Sequence, residues 1–119
     1  MTRREVKVRL PRDVLAAVSA AGDKKAENML VLDLRKAGGF TDFFVVCSGT
    51  NPRQIRAIAD SVMEALSARG IKPAHLEGYD RAEWILLDYF DFVVHVFAPE
   101  TRTFYALERL WGNAERVAV

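Results

Sequence analysis

The chain has 119 residues, half of them hydrophobic and 28% charged, with a net charge of +1. That size and balance fit one ordinary globular domain, and no apolar run approaches the roughly 20 residues a membrane-spanning helix requires. The basic N-terminus is not followed by an apolar stretch of signal-peptide length, and a lone Cys47 can form no internal disulfide, so a cytoplasmic protein is expected.

From Pro11 to about Lys25, Val14, Val18 and Ala21 recur at helical spacing with Asp13 in the first turn, although Gly22 leaves the end of this helix open. Met29–Leu34 reads as a buried strand and Ala37–Phe40 as a turn. Phe43–Cys47 is apolar on both faces, which predicts a central strand. The next helix carries the clearest signals: Asn51 as N-cap, Pro52 in the first position and Gln54 completing a capping box. Ile55, Ile58, Ala59, Val62 and Leu66 share its inner face, and Gly70 and Pro73 end it. Ala74–Glu77 reads as a short strand, and Trp84–Asp88 with Phe92–Phe97 as an antiparallel hairpin. Pro99 opens a last helix with Phe104, Leu107, Trp111 and Ala114 as its inward stripe. This order predicts an α/β (α+β) fold, a single mixed sheet of about five strands flanked by helices. Residues 1–10 read as a basic extension and residues 11–119 as the domain.

The charge is unevenly spread. Residues 1–12 hold Arg3, Arg4, Lys7, Arg9 and Arg12 against Glu5, a local charge of +4. Residues 74–100 hold six carboxylates, among them Glu77, Asp80, Glu83 and Asp88, against Arg81, a local charge of −5. An acidic surface repels phosphate backbones and attracts basic ones, so the middle of the chain suits a basic protein better than RNA. The basic end could serve as a nucleic-acid arm, although short charged termini are more often simply solvated.

Few residues offer catalytic chemistry. Cys47 and His95 are the candidates for a nucleophile and base, but each shares a strand face with apolar residues and reads as core. Ser48-Gly-Thr-Asn51 precedes a helix and could cradle a phosphate, yet helix capping explains it fully. Asp88 and Asp91, the nearest metal-binding pair, flank a hairpin turn and are explained by turn chemistry. His75 and His95 stand 20 residues apart with no partner at ligand spacing. No active site, cofactor or metal is implied.

Ile85–Leu87 and Val93–Phe97, His95 included, read as sheet core. Trp84 has two readings, a core residue or an aromatic anchor in an acidic rim, the make-up of interface hot spots. Tyr105 falls off the Phe104/Leu107/Trp111 stripe, beside Arg102, Glu108 and Arg109, which makes it a candidate contact residue.

The run Glu77-Gly-x5-Trp84-Ile-Leu-Leu-Asp88-x2-Asp91-Phe-Val-Val-His95-Val-Phe97, followed by Arg102-x-Phe-Tyr105-x-Leu-Glu108-x-Leu-Trp111, resembles the signature of the Iojap-like ribosomal silencing factors. Leu32-Asp33-Leu34, Thr41-Asp42-Phe-Phe-Val-Val-Cys-Ser-Gly49 and Arg53-Gln54-x3-Ile58-Ala59-Asp60 match the same family in order, from about Lys25 to Trp111. The resemblance implies a nucleotidyltransferase-like fold without catalytic carboxylates. It also implies binding to the large ribosomal subunit through large-subunit protein fourteen, a basic protein, with a block on subunit joining that lowers translation. Organelle relatives act in large-subunit assembly. Trp84, Asp88 and Tyr105 take the partner-contact role, while Glu77, Asp91, Arg102 and Glu108 match the motif and either touch the partner or hold the fold. Direct RNA contact is secondary, and exposed apolar residues would also allow a homodimer through the same face. One position departs: the family usually reads Gly-Asp in the hairpin turn, and this chain has Phe90 before Asp91, although glycine suits a positive φ there.

Overall fold

Phe43–Ser48 is almost wholly apolar, and this run is buried along its entire length at the centre of one sheet. In the computed structural model the described residues are 5–6, 10–36, 41–105, 115–117 and 119. The elements are β1 (Glu5–Val6), α1 (Arg12–Asp23), β2 (Glu27–Asp33), β3 (Phe43–Ser48), α2 (Pro52–Ser67), β4 (His75–Glu77), β5 (Trp84–Asp88), β6 (Phe92–Phe97), α3 (Pro99–Tyr105) and β7 (Glu115–Val117). The sheet runs β1-β7-β2-β3-β6-β5-β4. β3 pairs β6 in parallel, β1 pairs β7 in parallel, and the other neighbours are antiparallel, so the sheet is mixed as expected. Among the described residues, no helix is long and apolar enough to cross a membrane.

Two strands lengthen the sheet beyond the expected five. β7 pairs with β2, and β1 adds Glu5–Val6, from the segment read as an extension, alongside it. Strands of two and three residues are too short to show an alternating pattern, which is why neither was legible. The predicted turn at Ala37–Phe40 and the stripe residues Leu107, Trp111 and Ala114 lie outside the described residues.

Helices α1 and α2 cover the same face of the sheet. Val14, Ala17 and Ala21 of α1 and Ile55, Ile58, Val62 and Leu66 of α2 pack fully buried over Val31, Val45, Cys47, Ile85, Leu87, Val94 and Val96. Each large aliphatic side chain buried this way contributes about 1.5–3 kcal/mol of transfer free energy. Ser61 Oγ donates to Ala20 O at 2.9 Å and ties the two helices together.

The start of α2 uses the expected cap with one change. Asn51 Oδ1 accepts the Gln54 backbone N–H at 2.8 Å. The Gln54 side chain, however, reaches past Asn51 and accepts the Thr50 N–H at 2.6 Å. Its amide also donates to Lys24 O and Lys25 O, both at 3.1 Å, so one side chain fixes the loop from α1 to β2 as well. Gly70, at φ +86, turns the chain away after the helix. The opposite sheet face holds a second cluster of Leu32, Leu34, Phe44, Val46, Val93 and Phe97.

Candidate functional site

Side chains alternate across a strand, and β5 shows it cleanly: Ile85 and Leu87 are buried, while Trp84, Leu86 and Asp88 are half-buried. Ile85 and Leu87 lie under the helices, so the other three belong to the second face. The pairs Glu77↔Leu86 and His75↔Asp88 bring Glu77 and His75 onto that face from β4. The pairs Trp84↔Phe97, Leu86↔His95 and Asp88↔Val93 set three buried residues of β6 beside them. Glu77, Trp84, Leu86 and Asp88 therefore form one strip at the β4–β5 edge, half apolar and half acidic. Glu77 is exposed.

Trp84 is half-buried, between the core position and the exposed position that its sequence context allowed. Its indole N–H donates to His95 Nδ1 at 3.0 Å, and its ring stacks on Phe97 at 5.0 Å between centroids. Because Nδ1 accepts, the imidazole carries its proton on Nε2 and is neutral. Burial acts in the same direction and pushes the His95 pKa down to about 3. His95 also meets the Phe44 ring edge-on at 4.5 Å. The inner edge of Trp84 is thus locked into the second cluster while its position in the strip leaves it partly exposed. His95 as a core residue is borne out, but its hydrogen bond to Trp84 was not foreseen.

Leu86 is the residue that sequence reasoning misplaced. Ile85–Leu87 read as continuous core, yet Leu86 lies in the strip, half-buried between Glu77 and His95. An apolar residue on both faces of β5 hides the alternation, and the flanking Trp84 and Asp88 were the only signal of it.

The other candidates separate. Asp88 Oδ1 accepts the Phe90 N–H at 2.9 Å, so the carboxylate shapes the turn at one end of the strip. Asp91 lies in that turn, exposed, with its carbonyl accepting from Asp42 N–H at 3.0 Å. Phe90 takes φ +69, the positive value that the turn chemistry required. Arg102 Nη1 donates to Asn28 O at 2.7 Å and Ser48 Oγ at 3.1 Å. It thereby braces the irregular start of β2, where Asn28 has φ +51 and the register shifts, and this work serves the fold. Tyr105 is the last described residue of α3, and Glu108 lies outside the described residues.

The residues weighed for catalysis are spoken for. Cys47 pairs with Val96 while His95 pairs with Val46, which places thiol and imidazole on opposite faces of the sheet. Burial also pushes the Cys47 thiol up to about 12, away from the thiolate a nucleophile needs. At the turn before α2, Gly49 N–H donates to Phe97 O and Thr50 N–H to Gln54 Oε1, so these amides are taken. Among the described residues, no three His, Cys, Asp or Glu side chains gather as a metal site would require.

The fold and the strip define a class: a mixed α/β domain with an acidic, aromatic-centred edge. A family model described as "Ribosomal silencing factor during starvation" matches residues 8–119. The chain is 43% identical over 101 residues to ribosomal silencing factor RsfS of Halalkalibacterium halodurans, covering 85% of this chain and 86% of that protein. It is 31% identical over 102 residues to the mouse protein named mitochondrial assembly of ribosomal large subunit protein 1, covering 83% of this chain and 45% of that one. A crystal structure of a Chromobacterium violaceum protein superposes with a TM-score of 0.83 at 33% identity, covering 88% of both chains. The chain belongs to the ribosomal silencing factor family.

Proposed function

We propose that this protein docks the β4–β5 edge on the large ribosomal subunit, through large-subunit protein fourteen, and sterically blocks joining of the small subunit. The observation that carries the docking face is the strip itself, in which Glu77, Trp84, Leu86 and Asp88 share one sheet face. A half-buried Trp held by a hydrogen bond keeps little rotamer freedom to lose on binding, and carboxylates around it favour a cationic partner. The partner's identity follows from the family resemblance. The protein acts by occupancy in the cytoplasm and turns over no substrate, so the block is set by affinity and concentration.

The test is retention of the protein on purified large subunits, followed by gradient sedimentation with small subunits added. Wild type should be retained and should keep the subunits apart. Trp84→Ala should lower affinity at least tenfold, the loss expected of an interface anchor. Glu77→Lys, at an exposed position with no packing role, should weaken retention without changing the melting temperature. Subunits that join fully in the presence of saturating wild type would remove this function. The name of the mouse relative supports a second reading, participation in large-subunit assembly, which would use the same docking edge.

A further inference from the structure

The hairpin between β5 and β6 turns on two adjacent aromatics with opposite fates. Tyr89 is buried among the residues under the helices and stacks on Phe92 at 5.0 Å. Phe90 is 73% exposed, the most exposed large hydrophobic residue among the described ones. It is also held at φ +69, a conformation that L side chains rarely adopt and that glycine meets without cost.

The turn is braced at every backbone group around it. Phe90 N–H donates to Asp88 Oδ1 at 2.9 Å, and Thr41 Oγ donates to Phe90 O at 2.6 Å. Asp91 N–H donates to Tyr89 O at 2.9 Å, which closes a three-residue turn around Phe90. A large apolar side chain is thus kept in water on a rigid, strained support. Neither burial nor turn geometry accounts for a Phe here, since both would be served better by glycine.

The surroundings are acidic. Asp88 lies on one side, and Asp91 and Asp42, both exposed, lie on the other. A cavity of about 110 Å³ at the foot of the turn is lined by Asp42 and Asp91, by Asp13, which is already paired with Arg69 at 2.6 Å, and by Val14, Phe43 and Phe92. We propose that Phe90 is a second anchor of the docking surface, seated against a cationic protein whose Lys or Arg side chains meet the ring and the carboxylates beside it. A cation over an aromatic face is attracted by the ring quadrupole, and a neighbouring carboxylate adds to that attraction. The same carboxylates repel a phosphate backbone, which disfavours RNA as the occupant. Phe90 lies beyond the Asp88 end of β5, so the two anchors are separated by the length of the strand, roughly 17 Å.

This inference rests on the docking function proposed above, and the test distinguishes the two. Wild type, Trp84→Ala, Phe90→Gly and Phe90→Ala are titrated against purified large ribosomal subunits at low salt, with melting temperature and oligomeric state measured in parallel. Phe90→Gly should melt at or above the wild-type temperature yet bind at least tenfold more weakly, two effects in opposite directions that loss of folding cannot mimic. Phe90→Ala should bind as weakly as Phe90→Gly without the gain in stability. Wild-type affinity in both Phe90 variants, alongside weakened Trp84→Ala, would overturn this inference alone. Loss of self-association with unchanged subunit binding would overturn it in favour of a second copy of the chain. Absence of binding by wild type would overturn both proposals.

Discussion

His95 shows how one buried side chain links the site to stability. Its pKa falls from 6.5 to about 3 because burial penalises the charged imidazolium. The unfolded chain takes up that proton below about pH 6.5 while the folded chain does not, so acid favours unfolding across the interval down to about 3. The slope in that window is at most about 1.4 kcal/mol per pH unit. Asp33 acts in a different window. Hydrogen bonds from Arg35, including one of 2.7 Å from the guanidinium, hold its carboxyl below the usual 3.8, and that contribution is lost only as pH falls below this value. Thermal unfolding of wild type and His95→Gln between about pH 5 and 7 separates the two, because of Asp33 and His95 only His95 changes charge there. The variant should lose most of the acid-induced fall in melting temperature and show altered Trp fluorescence from the disturbed Trp84 contact. Parallel curves for the two proteins would mean that the His95 imidazole becomes protonated in the native state at the same pH as in the unfolded chain.

Among the described glycines, Gly78 in the β4–β5 connection has the least room for a side chain. Gly78 has φ +80, and a Cβ there would fall 2.0 Å from Trp84 O. The turn that follows closes with Ala82 N–H donating to Gly78 O at 3.0 Å, so the backbone has no room to retreat. Gly78→Ala should cost about 3 kcal/mol or more, from strain and from displacement of β5 together. Chemical denaturation would read this as a lower midpoint, and an unchanged midpoint would show that the β4–β5 edge rearranges freely. This element also marks what the sequence could express. The α2 helix was legible because its cap, its stripe and its terminal Gly70 are local signals. The central position of β3 followed from its apolar faces. The strip was legible only in part, since Glu77, Trp84 and Asp88 become neighbours through pairing between strands, and Leu86 is disguised by an apolar residue on either side. Arg102 carried the right motif but turned inward to Asn28 and Ser48, a partnership 54 and more residues away in the chain that no spacing rule encodes.

For the molecule as a whole, the order of strands gathers acidic residues at one edge of the sheet, where β4 and β5, inside the segment of charge −5, are the outer strands. The net charge of +1 therefore conceals an acidic edge, which carries the proposed docking strip. Such a field steers a cationic partner toward one side and accelerates encounter more than it tightens the final complex. Within the acidic edge, the pair between Arg81 and Glu83 at 3.3 Å is exposed on both sides and neutralises little of that field in water. Stopped-flow association with large subunits should slow steeply as salt rises from about 50 to 200 mM, while dissociation changes less, because screening acts on the approach. The double variant Glu77→Lys with Glu83→Lys should flatten that salt dependence and lower the rate even at low salt. A double variant Arg3→Ala with Arg4→Ala, within the basic segment, should leave the slope nearly intact. If the basic substitutions flattened it instead, the approach would be guided by phosphate rather than by a basic protein, and the β4–β5 edge would not be the docking surface.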